Sequence, residues 1–320
     1  MRTRLLPGTD LHLSVVGMGC WTIGGEYWGT VDDSVSIRAV RAAVEAGITW
    51  FDTAPLYGAG HADDILAKAL GSHIDNVIIA SKVGVRQDGV GPNGHDGHAH
   101  SDLRPEHILA DTQASLRRLK RPIDLMQLHW PCEFGTPIEE TAEAMRQLQS
   151  RGWIRHWGVC NETADDLPTW HAAGAISLQT PYSLLRREFE SALRPAAGSI
   201  GVLAYEALCR GLLTGRFRTL PHFEEDDLRS RDDRFKLPIF GHAHRIANDL
   251  KAIGKKVGCS AAAVALGWVA GQPGITAVIA GCRSPEQVRA NIRGAKVAES
   301  PALVEVISRA VNRHGPPPHP

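Results

Sequence analysis

Short apolar runs alternate with amphipathic segments along most of the 320-residue chain. Eight of the runs have the length of a buried strand, and they cover residues 15–19, 49–52, 77–81, 123–129, 154–159, 175–179, 200–205 and 275–281. Strands that are covered on both faces have nearly continuous apolar sequences, as in parallel sheets. The pattern therefore predicts eight parallel strands.

Helical patterns lie between these runs. Residues 61–70, 105–119 and 138–148 each place their apolar side chains on one face of a helix. Strands alternating with helices predict an α/β fold, and eight of them predict a (β/α)8 TIM barrel. We expect this single domain to span residues 1–312 and residues 313–320 to form a flexible tail.

An open, doubly wound sheet is the alternative fold. It requires a glycine-rich dinucleotide fingerprint after the first strand, and the segment GMGCWTIGG at 17–25 lacks that glycine spacing. The barrel is therefore preferred. The turn signals in residues 3–14 predict an N-terminal β-hairpin, and the long connections 83–104 and 206–240 are expected at the C-terminal face of the barrel.

Charge and cysteine content narrow the function classes. Lys plus Arg and Asp plus Glu both number 35, so no net charge attracts the chain to nucleic acid or to a membrane surface. The six cysteines form no CxxC pair, and no apolar run reaches the roughly 18 residues of a membrane span. These features predict a cytoplasmic protein with reduced thiols and a small-molecule ligand. They make no prediction of the oligomeric state.

Polar side chains follow the ends of six predicted strands. They are Asp52 and Tyr57 after the second strand, Lys82 after the third, His129 after the fourth, Asn161 after the fifth, Gln179 after the sixth and Tyr205 after the seventh. Singly, such residues often only satisfy backbone groups or face solvent. Because the carboxyl ends of barrel strands meet at one face, the set predicts a common site.

The first four ionisable groups predict proton chemistry. A nearby lysine ammonium lowers the pKa of a tyrosine, so Lys82 is expected to make Tyr57 a better acid. Asp52 balances the lysine charge, and His129 can hydrogen-bond a substrate oxygen. The combination predicts a proton donor that faces a polarised carbonyl group.

A reduction also needs a hydride donor, and the last predicted strand suggests its position. The segment AGCRSPEQVRANI at 280–292 places Arg283 before a helix with Ser284 as N-cap and Pro285 in its first turn. A phosphate at this point would meet a guanidinium, the helix dipole and backbone N–H groups. Gln287 and Asn291 share one face of that helix and are candidates for contacting a purine.

These residues lie in motifs that resemble the aldo-keto reductase family over nearly the whole chain. The motifs are FDTAPLYG (51–58), SKVG (81–84), DLMQLHWP (124–131), GWIRHWGVCN (152–161), QTPYSLLRR (179–187), AYEALCRGLLTGR (204–216) and AGCRSPEQVRAN (280–291). The long loops are most similar to the bacterial inositol- and stress-associated branch. The potassium-channel β-subunits are a more distant likeness.

The resemblance implies a TIM barrel that binds NADP(H), with NADPH preferred over NADH. It implies that Tyr57 is the general acid/base, that Lys82 and Asp52 tune it, and that His129 orients the carbonyl. The implied cofactor-binding residues are Gly19, Cys20, Trp21, Asp52, Cys160, Asn161, Gln179, Tyr205, Leu208, Cys209, Gly211, Arg216, Gly281, Arg283, Gln287 and Asn291. Trp21, Trp28, Tyr57, His129 and Trp130 are expected to form the substrate pocket.

Three positions depart from the family pattern. Cys160 stands where a serine is usual, which predicts a weaker hydrogen bond to the nicotinamide. Glu206 follows the stacking tyrosine and would repel a pyrophosphate unless it faces solvent or a basic neighbour. Ala290 replaces a glutamate, which leaves the adenine contact and the preference for NADPH less well defined.

Some features have competing interpretations. His95, Asp96, His98 and His100 in the segment GHDGHAHS could ligate zinc or nickel, although a solvated loop over the substrate mouth is preferred and no metal is assigned. Within this loop region, His100 or Asp102 could touch substrate. Cys20, Cys160 and Cys209 are either small apolar fillers or redox-sensitive thiols. The charged run at 224–234 is either solvated or supplies Arg231 or Arg234 to the cofactor phosphates.

The sequence thus predicts NADPH-dependent reduction of aldehydes or ketones to alcohols. The protein's partner would then be a small carbonyl compound. Two alternatives stay open: a regulatory subunit that senses the nicotinamide cofactor with incidental turnover, and a sugar or polyol dehydrogenase that uses NAD(P).

Overall fold

Eight parallel strands close into a barrel in the computed structural model, which describes residues 1–25, 27–29, 31–95 and 97–318. The strands are β1 (Val16–Gly19), β2 (Trp50–Asp52), β3 (Ile78–Val83), β4 (Ile123–Leu128), β5 (Ile154–Cys160), β6 (Ser177–Pro181), β7 (Gly201–Tyr205) and β8 (Ile275–Gly281). Each strand pairs with the next, and β8 pairs with β1. The predicted TIM barrel is therefore confirmed.

Helices surround the barrel. They are α1 (Asp33–Glu45), α2 (His61–Leu70), α3 (Pro105–Leu119), α4 (Ile138–Ser150), α5 (Leu167–Ala173), α6 (Arg194–Ala197), α7 (Ile239–Val257), α8 (Ala261–Ala270), α9 (Pro285–Asn291), α10 (Gly294–Ala298) and α11 (Pro301–Asn312). A π-helix, Phe189–Leu193, precedes α6. Short 3-10 helices cover Trp21–Ile23, Gly71–Asn76, Cys209–Thr214, Leu228–Arg231 and Asp233–Phe235. The three helices predicted from periodicity correspond to α2, α3 and α4.

The predicted N-terminal hairpin closes the amino-terminal end of the barrel. Its strands Thr3–Leu5 and His12–Ser14 pair in antiparallel fashion. Leu6, Leu11 and Leu13 are fully or nearly fully buried, and they pack in one cluster with barrel residues such as Trp50, Ala80, Leu125, Leu203 and Ala277. Apolar side chains thus fill this end of the barrel, and the large cavity described below opens at the opposite face.

The two long connections lie at that opposite, C-terminal face. Residues 83–104 contain two small antiparallel pairs, Val85–Arg86 with His100–Ser101 and Val90–Gly91 with Gly94–His95. In the 206–240 connection, the backbone N–H of Leu228 donates to the carbonyl of Tyr27 at 3.1 Å. This bond joins the 206–240 connection to the loop that follows β1.

The segment after α11 folds back against α7. Arg313 and His314 each pair with Asp249 at 2.6 Å, and Pro317 and Pro318 reach the large cavity described below. His319 and Pro320 of the predicted tail lie outside the described residues.

No single helix among the described residues has the length and apolar composition of a membrane span. One bent pair, Ile239–Val257 with Ala261–Ala270, passes when its two helices are taken together, on length and composition alone.

Close packing inside the barrel leads to a first prediction. A Cβ at Gly17 on β1 would overlap the indole of Trp50, whose Nε1 is fixed by a 2.8 Å hydrogen bond to the Ser14 carbonyl. We expect Gly17→Ala to lower the free energy of unfolding by roughly 1–3 kcal/mol, as overpacked cores do. Urea denaturation measures this value.

Gly241→Ala is the matched control. Gly241 lies within α7, and the heavy atom nearest to a Cβ there would be 3.6 Å away. Alanine is favoured over glycine in a helix by roughly 0.5–1 kcal/mol, so this variant should be as stable as the wild type or slightly more so. Equal stability of Gly17→Ala and the wild type would contradict the packing argument.

Candidate active site

The Lys82 ammonium lies at the centre of a buried hydrogen-bond network. Its Nζ donates to Asp52 Oδ1 at 2.6 Å, to Tyr57 OH at 3.0 Å and to the Thr53 carbonyl at 3.2 Å. Asp52 and Lys82 are almost fully buried, and 9% of Tyr57 is exposed. The structure therefore brings together the acid, the lysine and the carboxylate that the sequence predicts.

Neighbouring strands and one tight turn position these groups. Asp52 is the last residue of β2, and Lys82 lies near the end of β3, which pairs with β2 in parallel. Tyr57 sits in the turn that follows β2, and its N–H donates to the carbonyl of Ala54 at 3.0 Å. Gly58 comes next with a φ of 59°, a conformation that favours glycine. The turn thereby brings Tyr57 back over the strand ends.

The second carboxylate oxygen of Asp52 is also bonded. Gln179 Nε2 donates to Asp52 Oδ2 at 2.8 Å, and Gln127 Nε2 lies 3.4 Å from the same atom. Gln179 Nε2 also donates to Gln127 Oε1 at 3.2 Å. Gln127 was not among the site residues predicted from the sequence. Its signal was a lone amide within the apolar run of β4.

Burial changes the predicted acidity of Tyr57. Burial raises the pKa of Tyr57 above its ordinary value, and the opposing effect of Lys82 is smaller. Lys82 acts in the predicted direction, but the prediction of a net lowered pKa was wrong, because the packed rings around the phenol disfavour the phenolate. The phenol is consequently protonated at neutral pH.

At neutral pH Lys82 is charged and His129 is neutral. Burial acts to lower the pKa of Lys82, but Asp52 and Tyr57 outweigh burial and raise it, so the ammonium stays charged. Burial and then the Lys82 charge hold the pKa of His129 well below its ordinary value, so its imidazole is neutral. A neutral imidazole still carries one N–H donor.

Five rings in consecutive contact form an aromatic band at the mouth of the barrel. Successive ring centroids lie 5.2 Å apart for Trp28 and Trp21, 6.2 Å for Trp21 and Tyr57, 5.9 Å for Tyr57 and His129, and 5.4 Å for His129 and Trp130. These are the five residues predicted for the substrate pocket. The proton donor and the imidazole lie within the band.

Asn161 and Tyr205 are hydrogen-bonded to each other beside His129. Asn161 Nδ2 donates to the His129 carbonyl at 3.0 Å, and Tyr205 OH donates to Asn161 Oδ1 at 2.7 Å. Asn161 has a φ of 62°, in the left-handed region that asparagine tolerates better than most residues. Both ends of this amide are thus engaged by the protein.

A cavity of about 1060 Å³ runs over these groups. Its walls include most of the predicted cofactor-binding residues: Gly19, Trp21, Asp52, Asn161, Gln179, Tyr205, Leu208, Cys209, Gly211, Arg216, Gly281, Arg283, Gln287 and Asn291. Cys20 and Cys160 are fully or almost fully buried and do not line it. Lys82 lies behind the wall that Asp52 and Tyr57 form.

Three of the arginines that line the cavity lie close together. They are Arg216, Arg229 and Arg283. Burial makes the largest contribution to lowering the pKa of Arg216, and the nearby charges of Arg229 and Arg283 lower it further. Arg229 Nε donates to Asp227 Oδ1 at 2.8 Å, and Arg283 Nη1 donates to the Trp28 carbonyl at 3.2 Å. Three cations beside one carboxylate make this part of the cavity positive. Arg229 was missed within its charged run.

Glu206 has basic neighbours that offset the repulsion expected between its carboxylate and a pyrophosphate. Arg234 donates to both of its carboxylate oxygens at 3.1 Å, and Arg210 Nε lies 3.4 Å from Oε1. Asp232 binds the same two arginines at 2.8 and 2.9 Å. Arg231 and Arg234 were the two candidates for contacting the cofactor phosphates. Arg234 lines the cavity, whereas Arg231 does not.

The start of α9 has the predicted cap, but its donors are engaged. Ser284 Oγ accepts from the Gln287 N–H at 3.4 Å, and Gln287 Oε1 accepts from the Arg283 N–H at 2.8 Å. Asn291 Nδ2 donates to Cys282 Sγ at 3.3 Å. The backbone N–H groups of Gln287 and Arg283 are therefore already bonded to the side chains of Ser284 and Gln287, in an arrangement close to a capping box.

The histidine-rich loop does not reach the cavity through His100 or Asp102. His100 pairs with Glu133 at 2.8 Å, and Asp102 pairs with Arg104 at 2.5 Å. Among the described residues, no group of three ligand-type side chains could hold a metal ion; Asp96 of the metal hypothesis lies outside them.

The three cysteines with competing interpretations are buried. Burial raises the pKa of the Cys20 and Cys160 thiols, and it raises the pKa of Cys209 to about 11. All three thiols are therefore protonated at neutral pH. This environment favours the interpretation as apolar fillers over that as reactive thiolates.

A parallel barrel with a tyrosine, a lysine and an aspartate at its mouth defines an oxidoreductase of the aldo-keto type. The model of the Aldo/keto reductase family matches residues 15–308. The chain belongs to the aldo/keto reductase family, whose members use nicotinamide cofactors.

Relatives of known name lie within that family. The chain is 38% identical over 292 residues to the "Aldo-keto reductase YhdN" of Bacillus subtilis, covering 89% of this chain and 86% of the relative. It is 30% identical over 323 residues to the "NADH-specific methylglyoxal reductase" of Escherichia coli, covering 96% and 98%. The structure of the glycerol dehydrogenase AKR11B4 from Gluconobacter oxydans superposes with a TM-score of 0.87 at 34% identity, covering 100% of this chain and 98% of that one.

Asp63, behind the Tyr57 turn, should make stability depend on pH. Its carboxylate accepts from Thr53 Oγ1 at 2.6 Å and from Ser115 Oγ at 3.4 Å. Burial raises the pKa of Asp63 from 3.8 to about 6. The native state therefore binds this proton more tightly than the unfolded chain does. Its contribution to stability accordingly falls as the pH rises from the unfolded to the folded pKa.

Asp63→Asn removes this titration. We expect the unfolding free energy of the variant, relative to the wild type, to increase by about 2 kcal/mol between about pH 4.5 and pH 7.5. Urea denaturation at a series of pH values checks the difference. Asp64→Asn, at an exposed position on the same helix, is the control. A difference for Asp63→Asn that does not vary with pH would contradict the assignment.

Proposed function

We propose that the protein reduces aldehydes or ketones with NADPH. The observation that carries the proposal is the 3.0 Å contact between Lys82 Nζ and Tyr57 OH at the wall of a cavity that the cluster of three arginines also lines. The contact supplies a supported proton donor. The arginines supply a place for an anionic group, as the 2′-phosphate of NADPH would need.

The cavity residues fit a nicotinamide cofactor. Gln179 and Tyr205 line the cavity near Tyr57 and would hold the nicotinamide, with Asn161 as the bonded support of Tyr205. Leu208, Cys209 and Gly211 would lie along the pyrophosphate, and Arg216, Arg229 and Arg283 along the 2′-phosphate. When bound, the cofactor would supply the hydride that adds to the carbonyl carbon.

The protein's own residues perform the proton transfer. Tyr57 donates its phenolic proton to the carbonyl oxygen as the carbonyl group is reduced to an alcohol. Its raised pKa keeps the phenol protonated before the reaction, and the Lys82 ammonium stabilises the phenolate that forms. Asp52 keeps that ammonium charged, and the neutral His129 donates an N–H to orient the same oxygen.

Removal of the phenol tests the acid. Tyr57→Phe should lower kcat for NADPH-dependent reduction of a panel of aromatic and aliphatic aldehydes by roughly 10²- to 10⁴-fold, as loss of a general acid does. The Kd for NADPH should stay close to that of the wild type, because the aromatic ring remains. NADPH absorbance measures turnover, and fluorescence titration measures binding.

Tyr182→Phe is the matched control for this test. It removes a buried phenolic hydroxyl that donates to Glu190 at 2.7 Å and that does not line the cavity. This variant should retain wild-type turnover. Full activity of Tyr57→Phe would reject Tyr57 as the proton donor.

Cofactor preference is tested at the arginine cluster. Arg283→Met should weaken NADPH binding roughly 10- to 100-fold, the value of a charge-assisted hydrogen bond, and should leave NADH binding within about 2-fold. Arg289→Met, on the exposed face of α9, should change neither Kd. An equal loss for both cofactors, or stronger binding of NADH by the wild type, would contradict a phosphate site at Arg283. The E. coli relative named NADH-specific makes this comparison necessary.

Oxidation of a polyol is the second candidate, because the structure with a TM-score of 0.87 is that of a glycerol dehydrogenase. The same residues serve in reverse, with the Tyr57 phenolate as the base. Initial rates with NADP⁺ or NAD⁺ and glycerol or cyclic polyols, set beside the aldehyde panel, separate the two directions. Tight NADPH binding without turnover in either direction would favour a cofactor-sensing regulatory protein.

A further inference from the structure

Two glycine backbones touch between the loop after β1 and the turn that carries Tyr57. Gly24 follows the 3-10 helix Trp21–Ile23, and Gly58 directly follows Tyr57. A Cβ built on Gly58 would overlap the carbonyl oxygen of Gly24, and a Cβ built on Gly24 would lie 2.9 Å from the carbonyl carbon of Tyr57. Only glycine, which has no Cβ, lets two backbones approach this closely.

The contact at Gly24 depends on space rather than on backbone conformation. Gly24 is buried, and its φ of −71° is one that any residue adopts. The atoms that an added methyl group would meet belong to the peptide between Tyr57 and Gly58, at 2.9 to 3.1 Å. A peptide group cannot swing aside as the end of a flexible side chain can. A methyl group at Gly24 must therefore displace the Tyr57 backbone.

Arg118 of α3 contacts the other end of the same turn. Residues 58–60 all have a left-handed backbone, with φ values of 59°, 52° and 95°, and the middle residue is Ala59. A left-handed alanine is strained and persists only where its surroundings hold it. Arg118 Nη2 donates to the carbonyl of Ala59 at 3.1 Å, and a Cβ at Gly60 would overlap the guanidinium. Arg118 thus both binds this turn and packs against it.

The Lys82 ammonium cannot follow a displaced Tyr57. Its Nζ is held by Asp52 Oδ1 at 2.6 Å and by the carbonyl of Thr53 at 3.2 Å. The Tyr57 OH lies 3.0 Å from this fixed Nζ, and a hydrogen bond depends strongly on distance and angle. Displacement of the Tyr57 backbone therefore weakens the contact that supports the proton donor.

We propose that Gly24 and Arg118 are positioning residues that hold the Tyr57 phenol at Lys82. Neither residue lines the cavity, so both act through the turn and contact neither cofactor nor substrate. This assignment rests on the proposed function, in which Tyr57 delivers the proton. Changes at either position should reduce proton delivery and leave cofactor binding intact.

Gly24→Ala is the direct test. The methyl group should displace Tyr57 and lower kcat for the aldehyde that wild type reduces fastest by roughly 10- to 100-fold, since small misplacements of a reacting group have effects of this size. The Kd for NADPH, from fluorescence titration, should stay within about 3-fold of the wild-type value, because only a transition-state interaction is lost. Gly241→Ala adds the same methyl group without overlap and should retain wild-type kcat.

A double-mutant cycle shows whether the loss arises through Tyr57. The phenol is already absent in Tyr57→Phe, so adding Gly24→Ala should lower the remaining single-turnover rate by no more than about 2-fold. A methyl group that only destabilised the fold would lower the rate by the same factor with and without the phenol. Thermal unfolding establishes that each variant is folded at the assay temperature.

Arg118→Met keeps the test decisive if Gly24→Ala does not fold. It removes the hydrogen bond to Ala59 without creating an overlap, and water can replace the guanidinium at this exposed residue. We therefore expect a smaller loss of kcat, roughly 3- to 10-fold, that again vanishes in Tyr57→Phe. Arg117→Met, exposed on the same helix, is the control and should retain wild-type kcat.

The outcomes separate this assignment from the proposed function. Wild-type kcat in folded Gly24→Ala, or an equal loss with and without the Tyr57 phenol, overturns the positioning role even if the protein reduces aldehydes. Where Gly24→Ala does not fold, wild-type kcat in Arg118→Met overturns it. Absence of turnover in wild type overturns the proposed function and this assignment with it. A loss of kcat that disappears in Tyr57→Phe, with NADPH binding intact, supports the positioning role.

Discussion

A charged lysine taken out of water is the constraint on which the site depends. An ammonium group that is almost fully buried is tolerated only with a well-placed counter-charge, which Asp52 supplies at 2.6 Å. The carboxylate in turn needs partners for its second oxygen, and two amides from β4 and β6 fill that need. Removing one member of such a pair leaves an uncompensated buried charge, at a cost of roughly 3–5 kcal/mol.

The barrel and the central site follow from local features of the sequence. The strands could be predicted because a strand covered on both faces is apolar throughout, and the polar residue that ends each run is then conspicuous. Asp52, Lys82 and His129 were identified in this way, since strand ends of a parallel barrel share one face. The segments folded into small β-pairs within 83–104 carry no comparable pattern.

Other features depend on contacts between distant segments. The raised pKa of Tyr57 comes from burial against rings such as Trp21, which belongs to another loop. Arg229 faces the cavity because its guanidinium stacks over Phe223 and Trp28, and the alternating charges around it give no sign of that. Cys20 and Cys160 are buried, although their sequence neighbours line the cavity. The composition at a strand end does not determine which of its side chains are buried.

The two halves of the barrel contribute different groups to the cavity. Asp52, Lys82 and His129 come from the first four strands with their loops, whereas all the arginines that line the cavity follow β6, β7 or β8. The hydrogen bond from Gln179 to Asp52 joins these halves across the barrel interior. Recombination between family members near β5 would therefore exchange the segments that carry the cavity arginines as a block. A chimera of that kind would inherit the buried Lys82 network from one parent and the cavity arginines from the other, provided that Gln179 and Asp52 still met at the junction.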